Sequence, residues 1–184
     1  NTQHCYNYLM NHVYHNVPDP MVGTKLVPLN QMPDEMSDVK KLNLEKYEGR
    51  KEILERQVPL LNCAWNDVVQ FTPVHPQKVF ELQVEMGFIS EVPHAKFFEI
   101  PIDSFEPDKT AVFFKTAPGE ENVTVKWLKD VDFKTLTEIP EATINYYKSL
   151  VGTGELPFNY QFVPHILHLG SLDVSKMKII TPSS

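Results

Sequence analysis

The sequence predicts an α+β fold, a single domain over residues 1–184 with a mostly antiparallel or mixed sheet and about three helices. Residues 96–128 alternate apolar and polar side chains with the period of two that is typical of strands. Three other segments place apolar residues at helical spacing. Hydrophobic residues make up 42% of the chain and charged residues 22%, which is enough apolar material for a core.

The first part of the chain is expected to contain a strand at 11–17, a short extended piece at 25–29 and a helix at 44–57. Pro18 ends the strand because proline has no N–H to donate to a ladder. Pro59 ends the helix for the same reason, since a helical N–H must also donate.

A strand at 68–72 leads into a second predicted helix with clear boundaries. The residue before a proline avoids the α region, so His75 is expected to cap this helix, with Pro76 at its first position. Gly87 is well placed to close it. The segment "FTPVHP" is therefore interpreted first as a strand-to-helix junction.

The second half of the chain is predicted to be rich in strands. A helix at 140–151 is followed by Gly152, and "YQFVPHILHLG" and "SKMKIIT" are expected to form a closing hairpin or strand pair. The three strands predicted before this helix are 96–102, 110–117 and 122–128.

Charge and composition argue against several classes of protein. The net charge is −7 and no cluster of lysine or arginine is present, so duplex nucleic acid is not an expected partner. No run approaches the roughly 20 apolar residues of a membrane helix, so no membrane partner is expected. Two cysteines, Cys5 and Cys63, predict reduced thiols in a cytoplasmic protein, with secretion by a route that lacks a readable signal as the alternative.

The histidine pairs do not predict a metal site. His12 and His15 lie three residues apart, and so do His165 and His168. On a helix this spacing would place each pair on one face, but both segments read as strands, where an odd offset sends the side chains to opposite faces. No metal cofactor is therefore expected.

The same alternation predicts which histidine of each strand points inward. His15 and His165 share a face with apolar neighbours, so both are expected to face the interior, whereas His168 should face outward. A buried imidazole needs a hydrogen-bond partner. Each inward histidine is thus either a satisfied core residue or a residue that binds a ligand in a cleft.

The segment 61–80 brings several reactive residue types together. Cys63 and His75 would make a nucleophile and base if the sulfur lay near a ring nitrogen. Trp65 and Asp67 fall on the same face if the segment is extended, which would suit a ribose or a base. The alternative is that Trp65 packs in the core while Asp67 caps a turn.

Few arginine residues are available for a contact with an anionic ligand. The chain contains two arginines, Arg50 and Arg56, and arginine is the side chain suited to a bidentate contact with a phosphate. Arg50 is the one that we expect to be available for a phosphate group.

The segment "HVYHNVPDPMVGTKLVPLN" resembles the opening of ADP-ribosyltransferase-like domains. In that family the first strand supplies a residue that contacts NAD, so the resemblance implies that His15 contacts NAD. No motif of the catalytic glutamate is matched, and no catalytic residue is carried over. The stretches "GRKEILERQVPLLNCAWNDV" and "VPHILHLGSLDV" also look like an uncharacterised bacterial family, which implies no activity.

Three hypotheses about function follow. The first is a cleft that binds a nucleotide-like or other polar small ligand, in an NAD-dependent transferase or a degenerate relative of one. Its expected ligand-binding residues are His15, His165, His75, Trp65 and Arg50. The alternative is a non-catalytic interaction or effector domain, indicated by acidity, prolines and the aromatic-rich "CYNYLMNHVYH". The third is a thiol hydrolase. The partner is a small-molecule or protein substrate, and the oligomeric state is open.

Overall fold

The computed structural model describes residues 11–182, and within this range it shows the expected α+β fold with antiparallel sheets. Three α-helices are present in the described range: α1 (Ser37–Glu45), α2 (Pro76–Glu85) and α3 (Glu141–Leu150). None of these helices has the length and apolar character needed to cross a membrane.

The strands form two main sheets and two small ones. The order is β5-β9-β7-β8 in the four-stranded sheet and β1-β6-β11 in the three-stranded sheet, with β2-β10 and β3-β4 as two-stranded ladders. All pairs within them are antiparallel. The strands are β1 (His12–Asn16), β2 (Lys25–Leu26), β3 (Gln57–Val58), β4 (Cys63–Ala64), β5 (Val68–Phe71), β6 (Phe97–Pro101), β7 (Thr110–Lys115), β8 (Val123–Trp127), β9 (His165–Leu169), β10 (Leu172–Asp173) and β11 (Lys178–Ile180).

The four-stranded sheet is covered on both faces, which explains its nearly continuous apolar strands. Ile166 and Val112 belong to one hydrophobic cluster, whereas Leu167 and Ala111 belong to another. Consecutive residues of a strand point to opposite faces, so β5, β7 and β9 each contribute to both clusters.

Helix α2 begins as the sequence predicts. His75 is its N-cap, and the His75 Nδ1 atom accepts a hydrogen bond from the Gln77 N–H at 3.2 Å. Pro76 occupies the first helical position. Gly87 follows the helix with a φ of +79°, a left-handed conformation that glycine adopts without strain.

The helix predicted at 44–57 is wrong in its placement. The helix α1 ends at Glu45, and the chain continues through turns to a short 3-10 segment, Lys51–Ile53. Gly49 has a φ of +78°, and this left-handed conformation interrupts the helical spacing of apolar residues that the sequence shows.

The closing strand pair predicted at the carboxyl end is also wrong. The strand β9 lies between β5 and β7, and β11 pairs with β6 in the other sheet. Both faces of β9 carry apolar residues, and such a strand is most stable at the centre of a sheet that is covered on both sides.

Between residues 11 and 182, a single bridge connects the two main sheets. The backbone groups of Tyr14 on β1 and Thr72, just beyond β5, exchange two hydrogen bonds of 2.8 and 3.0 Å. The three-stranded and four-stranded sheets therefore meet along the edges of β1 and β5, and this meeting point positions the site described next.

Candidate functional site

A cavity of about 640 Å³ lies beside the edges of β1 and β5, and we call it the main cavity. Residues from 17 to 47 supply much of its wall, including β2 and one side of α1. A volume of this size is typical of sites for small ligands. Three residues that were expected to bind a ligand line it: His15, His165 and Trp65.

His15 is held by its own strand in one tautomer. Its Nδ1 atom lies 2.6 Å from the backbone oxygen of Asn16, and because a carbonyl oxygen only accepts, Nδ1 carries the proton. Burial and, more weakly, the nearby Lys46 ammonium lower the pKa of His15 to about 4, although the hydrogen bond to the Asn16 carbonyl acts in the opposite direction. The ring is thus neutral at pH 7, and its Nε2 atom is a hydrogen-bond acceptor.

His165 is fixed in the same way, by the backbone of the segment just before β9. Its Nδ1 atom donates to the Val163 carbonyl at 2.7 Å, and its ring centre is 6.5 Å from that of Trp65. Burial lowers the pKa of His165, with a further contribution from the Arg56 guanidinium. His165 therefore also offers an unprotonated Nε2 atom.

Three polar side-chain atoms are buried without a hydrogen-bond partner among residues 11–182. They are Trp65 Nε1, Asn66 Oδ1 and the Tyr160 hydroxyl oxygen. All three residues line the main cavity. A buried polar group without a partner costs about 1–3 kcal/mol, and three residues of one cavity wall each carry such an atom.

The local structure around Trp65 differs from the expected extended strand. Trp65, Asn66 and Asp67 form a single 3-10 turn before β5. Asp67 stabilises this turn because its Oδ2 atom accepts from the Ala64 N–H at 2.9 Å, while its Oδ1 atom accepts from the Asn30 side chain at 2.8 Å. The alternative interpretation is therefore the one that the structure shows, with Trp65 buried and Asp67 capping a turn.

The main cavity has few charged residues in its wall. Lys25 and Lys46 line it, and Asp19 is the acidic residue that does so within the described range. Apolar and aromatic side chains form much of the remaining wall, including Phe71, whose ring centre is 5.5 Å from that of His15. The site is thus suited to a mainly uncharged ligand with a small anionic group at most.

Arg50 does not line the main cavity. Its Nη2 atom donates to the Lys46 carbonyl at 2.6 Å, and its guanidinium carbon lies 4.5 Å from the centre of the Phe158 ring. Arg56 is also engaged elsewhere, in an ion pair with Glu120 at 2.6 Å. A phosphate in the main cavity would therefore meet lysine rather than the arginine that the sequence favoured.

His75 lies at a second, smaller cavity of about 200 Å³, together with His12, Tyr14 and Lys78. Its ring makes an edge contact with Tyr14, with 4.8 Å between the ring centres. The structure thus brings His15, His165 and Trp65 to one cavity, but it places His75 at another.

The structure separates the two residues proposed for thiol chemistry. Cys63 lies on β4 and packs beside the cluster that contains Trp65, whereas His75 contacts Tyr14 and caps α2. Burial raises the pKa of the Cys63 thiol, and the Asp67 carboxylate raises it further. A nucleophilic cysteine needs the opposite shift. Cys5 lies outside the described residues.

The expectation that His168 faces outward is wrong. His168 is 2% exposed, and its ring packs 5.4 Å from that of Phe105. The Thr110 hydroxyl oxygen lies 3.1 Å from His168 Nδ1, and the same hydroxyl donates to the Glu106 carbonyl at 2.8 Å. The sheet is covered on both faces, and alternation therefore buries both histidines of β9 on opposite sides.

Two residues of the site, Asn66 and Tyr160, were not predicted. Asn66 is adjacent to Trp65, but nothing in its neighbourhood marks a single asparagine as a binding residue. Tyr160 lies outside any strand or helix, where periodicity gives no information. Within residues 11–182, no group of three or more histidine, cysteine, aspartate or glutamate side chains is arranged to hold a metal ion.

Comparison of the chain with protein families, with characterised proteins and with solved structures gave no match. The fold and the site therefore define the class by themselves: an α+β protein with a mainly apolar cavity, carrying a few polar groups, beside two sheet edges.

Proposed function

We propose that this protein binds a small polar molecule of nucleoside or nucleotide size in the main cavity. The observation that carries the proposal is the group of buried polar atoms without partners at Trp65, Asn66 and Tyr160. A ligand that bonds to them recovers the free energy lost when they were buried.

The two histidines define what the ligand must offer. His15 and His165 are neutral and use Nδ1 for backbone carbonyls, so each presents Nε2 as an acceptor. The ligand therefore carries N–H or O–H donors, and it also carries an acceptor for the Trp65 indole N–H. Nucleosides, with their bases and ribose hydroxyls, meet this requirement.

A thermal-shift screen of nucleosides, nucleotides, NAD and sugars tests the proposal. A ligand at 100 times its dissociation constant adds about 2.7 kcal/mol to the free energy of unfolding. We expect a shift for the wild type that is lost in His165→Ala. The matched control is His75→Ala, which changes a histidine outside the main cavity and should keep the ligand-induced shift.

The absence of any shift across the whole screen would contradict the proposal. Equal loss of the shift in both histidine variants would show that the main cavity is not the site, because His75 lies at the second cavity.

NAD belongs in the screen because His15, the residue implied by the resemblance to ADP-ribosyltransferase-like domains, lines the main cavity. In the described wall of the main cavity, Asp19 is the acidic residue, and no glutamate lines it. Release of nicotinamide from NAD, lost in His15→Asn, would support a transferase. Binding of NAD without release would support a degenerate relative.

A second candidate function is favoured by three exposed apolar side chains on one short segment. Val151, Leu156 and Phe158 are 54%, 71% and 56% exposed, respectively. Such side chains on one short segment are typical of a protein–protein contact. Sedimentation over a range of concentrations tests it: reversible self-association of the wild type that Leu156→Asp abolishes would support the contact.

A further inference from the structure

The edges of β1 and β5 begin to pair and then stop. Tyr14 and Thr72 exchange both backbone hydrogen bonds, at 2.8 and 3.0 Å. In an antiparallel ladder the next pair of this kind lies two residues further along each strand. That pair would be Asn16 with Gln70, and no bond between them is made in the described structure.

The hydrogen bonds between β1 and β6, and between β5 and β9, show in which direction the backbone groups of Asn16 and Gln70 point. Val17 donates to Lys96 on the β6 side, so the odd-numbered residues of β1 face β6 and Asn16 faces β5. Gly170 donates to Asp67 on the β9 side. By the same alternation, the backbone N–H and C=O of Gln70 face β1.

His15 engages one of the four backbone groups of this missing pair. Its Nδ1 atom takes the Asn16 carbonyl at 2.6 Å, so that oxygen has a partner already. Within residues 11–182, the Asn16 N–H and both backbone groups of Gln70 have no backbone partner and face the gap. Asn16 and Gln70 both line the main cavity, and Asn16 is exposed while Gln70 is half-buried, so the gap opens to solvent at Asn16.

We propose that a planar cyclic amide, such as the N–H and C=O edge of a nucleobase, inserts between β1 and β5 and replaces the missing pair of Asn16 with Gln70. The ligand carbonyl accepts from the Asn16 N–H, and the ligand N–H donates to the Gln70 carbonyl. This inference rests on the proposed function and names the chemical group that the main cavity selects.

The surroundings of the gap fit a flat ring. The aromatic rings of His15, Phe71 and Trp65 line the same cavity, and planar heterocycles stack on such rings. Main-chain groups that pair with a flat amide distinguish it from a carboxylate, because a carboxylate has no N–H for the Gln70 carbonyl.

The test compares ligands that differ by one hydrogen-bond donor. Isothermal titration with uridine and with 3-methyluridine, whose base has no N–H, should give an affinity about tenfold weaker for the methylated compound. Inosine and 1-methylinosine, which lacks the N1–H beside the ring carbonyl, repeat the comparison with a second cyclic amide. Equal affinities within both pairs would overturn the inference.

Two variants of one residue test the protein side. Asn16→Pro removes the backbone N–H, whereas Asn16→Ala keeps it, and this N–H is not part of the β1–β6 ladder. We expect Asn16→Pro to bind uridine about tenfold more weakly than Asn16→Ala, which keeps the N–H. Should Asn16→Pro fail to fold, the ligand pairs with the wild-type protein decide the question.

The outcomes also separate this inference from the proposed function. Suppose that sugars or carboxylates bind in the main cavity, that His165→Ala abolishes this binding, and that nucleosides do not bind. This result would overturn the inference of a cyclic amide ligand and leave the proposed function intact. No binding of any compound would overturn both.

Discussion

The protonation of His15 should make the protein unstable in acid, and the size of this effect follows from its environment. Burial and Lys46 lower its folded-state pKa to about 4, from 6.5 in the unfolded chain. Between these values the unfolded chain binds more protons than the folded protein. The free energy of unfolding is therefore intact above pH 6.5 and decreases as the pH falls toward 4.

The magnitude comes from the same two values. For a pKa of about 4 in the folded protein and 6.5 in the unfolded chain, linkage gives a loss of about 2 kcal/mol between pH 7 and pH 5 and about 3 kcal/mol in total. Other buried histidines add to the slope of the wild type. The variant His15→Asn isolates the contribution, because the asparagine amide still donates to the Asn16 carbonyl and does not titrate.

Urea unfolding of the wild type and of His15→Asn at pH 7 and pH 5 measures this difference. The wild type should lose about 2 kcal/mol more than the variant over this interval. Asn16→Ala, which removes no titratable group, should keep the wild-type slope. Parallel slopes for the wild type and His15→Asn would refute the neutral, buried state of His15 and with it the description of the cavity wall.

Three further predictions concern stability and access. Tyr160→Phe removes a buried hydroxyl without a partner, so the free protein should be unchanged or more stable by up to about 1 kcal/mol in thermal unfolding, while ligand affinity decreases. Gln83→Leu should cost about 1–3 kcal/mol, because the Gln83 amide donates to Tyr147 at 3.2 Å and to Asn159 at 2.7 Å. Cys63 should react slowly with iodoacetamide at pH 7.5, since its raised pKa keeps the thiol protonated.

The elements that follow from local signals were predictable. The strand-to-helix junction at His75 and Pro76 depends on the conformations allowed before proline, and these constraints are the same in any fold. The helix α1 was misplaced because Leu44 and Tyr47 show helical spacing, while the left-handed conformation of Gly49 ends the helical stretch. Gly49, inside the segment with helical spacing, was the feature of the sequence that could have predicted this break.

The main cavity depends on contacts that local patterns do not encode. Its position follows from the bridge between Tyr14 and Thr72, which are distant in the chain. The alternation of apolar and polar residues predicted that His15 and His165 face the interior. The same prediction assumed that one face of β9 is exposed to solvent, whereas β9 lies between β5 and β7. Because β9 is central, His168 is buried as well, and only the order of the strands reveals this.

The indole N–H of Trp65 is the atom that tests the central claim most directly. It is buried without a partner in the described structure, and the other tryptophan, Trp127, lies on β8 and does not line the main cavity. In a ¹H–¹⁵N spectrum, with Trp127→Phe to assign the signals, a saturating ligand should move the Trp65 indole proton downfield and leave that of Trp127 in place. An unmoved Trp65 signal at saturation would contradict the proposal that the main cavity binds the ligand through its unpartnered groups.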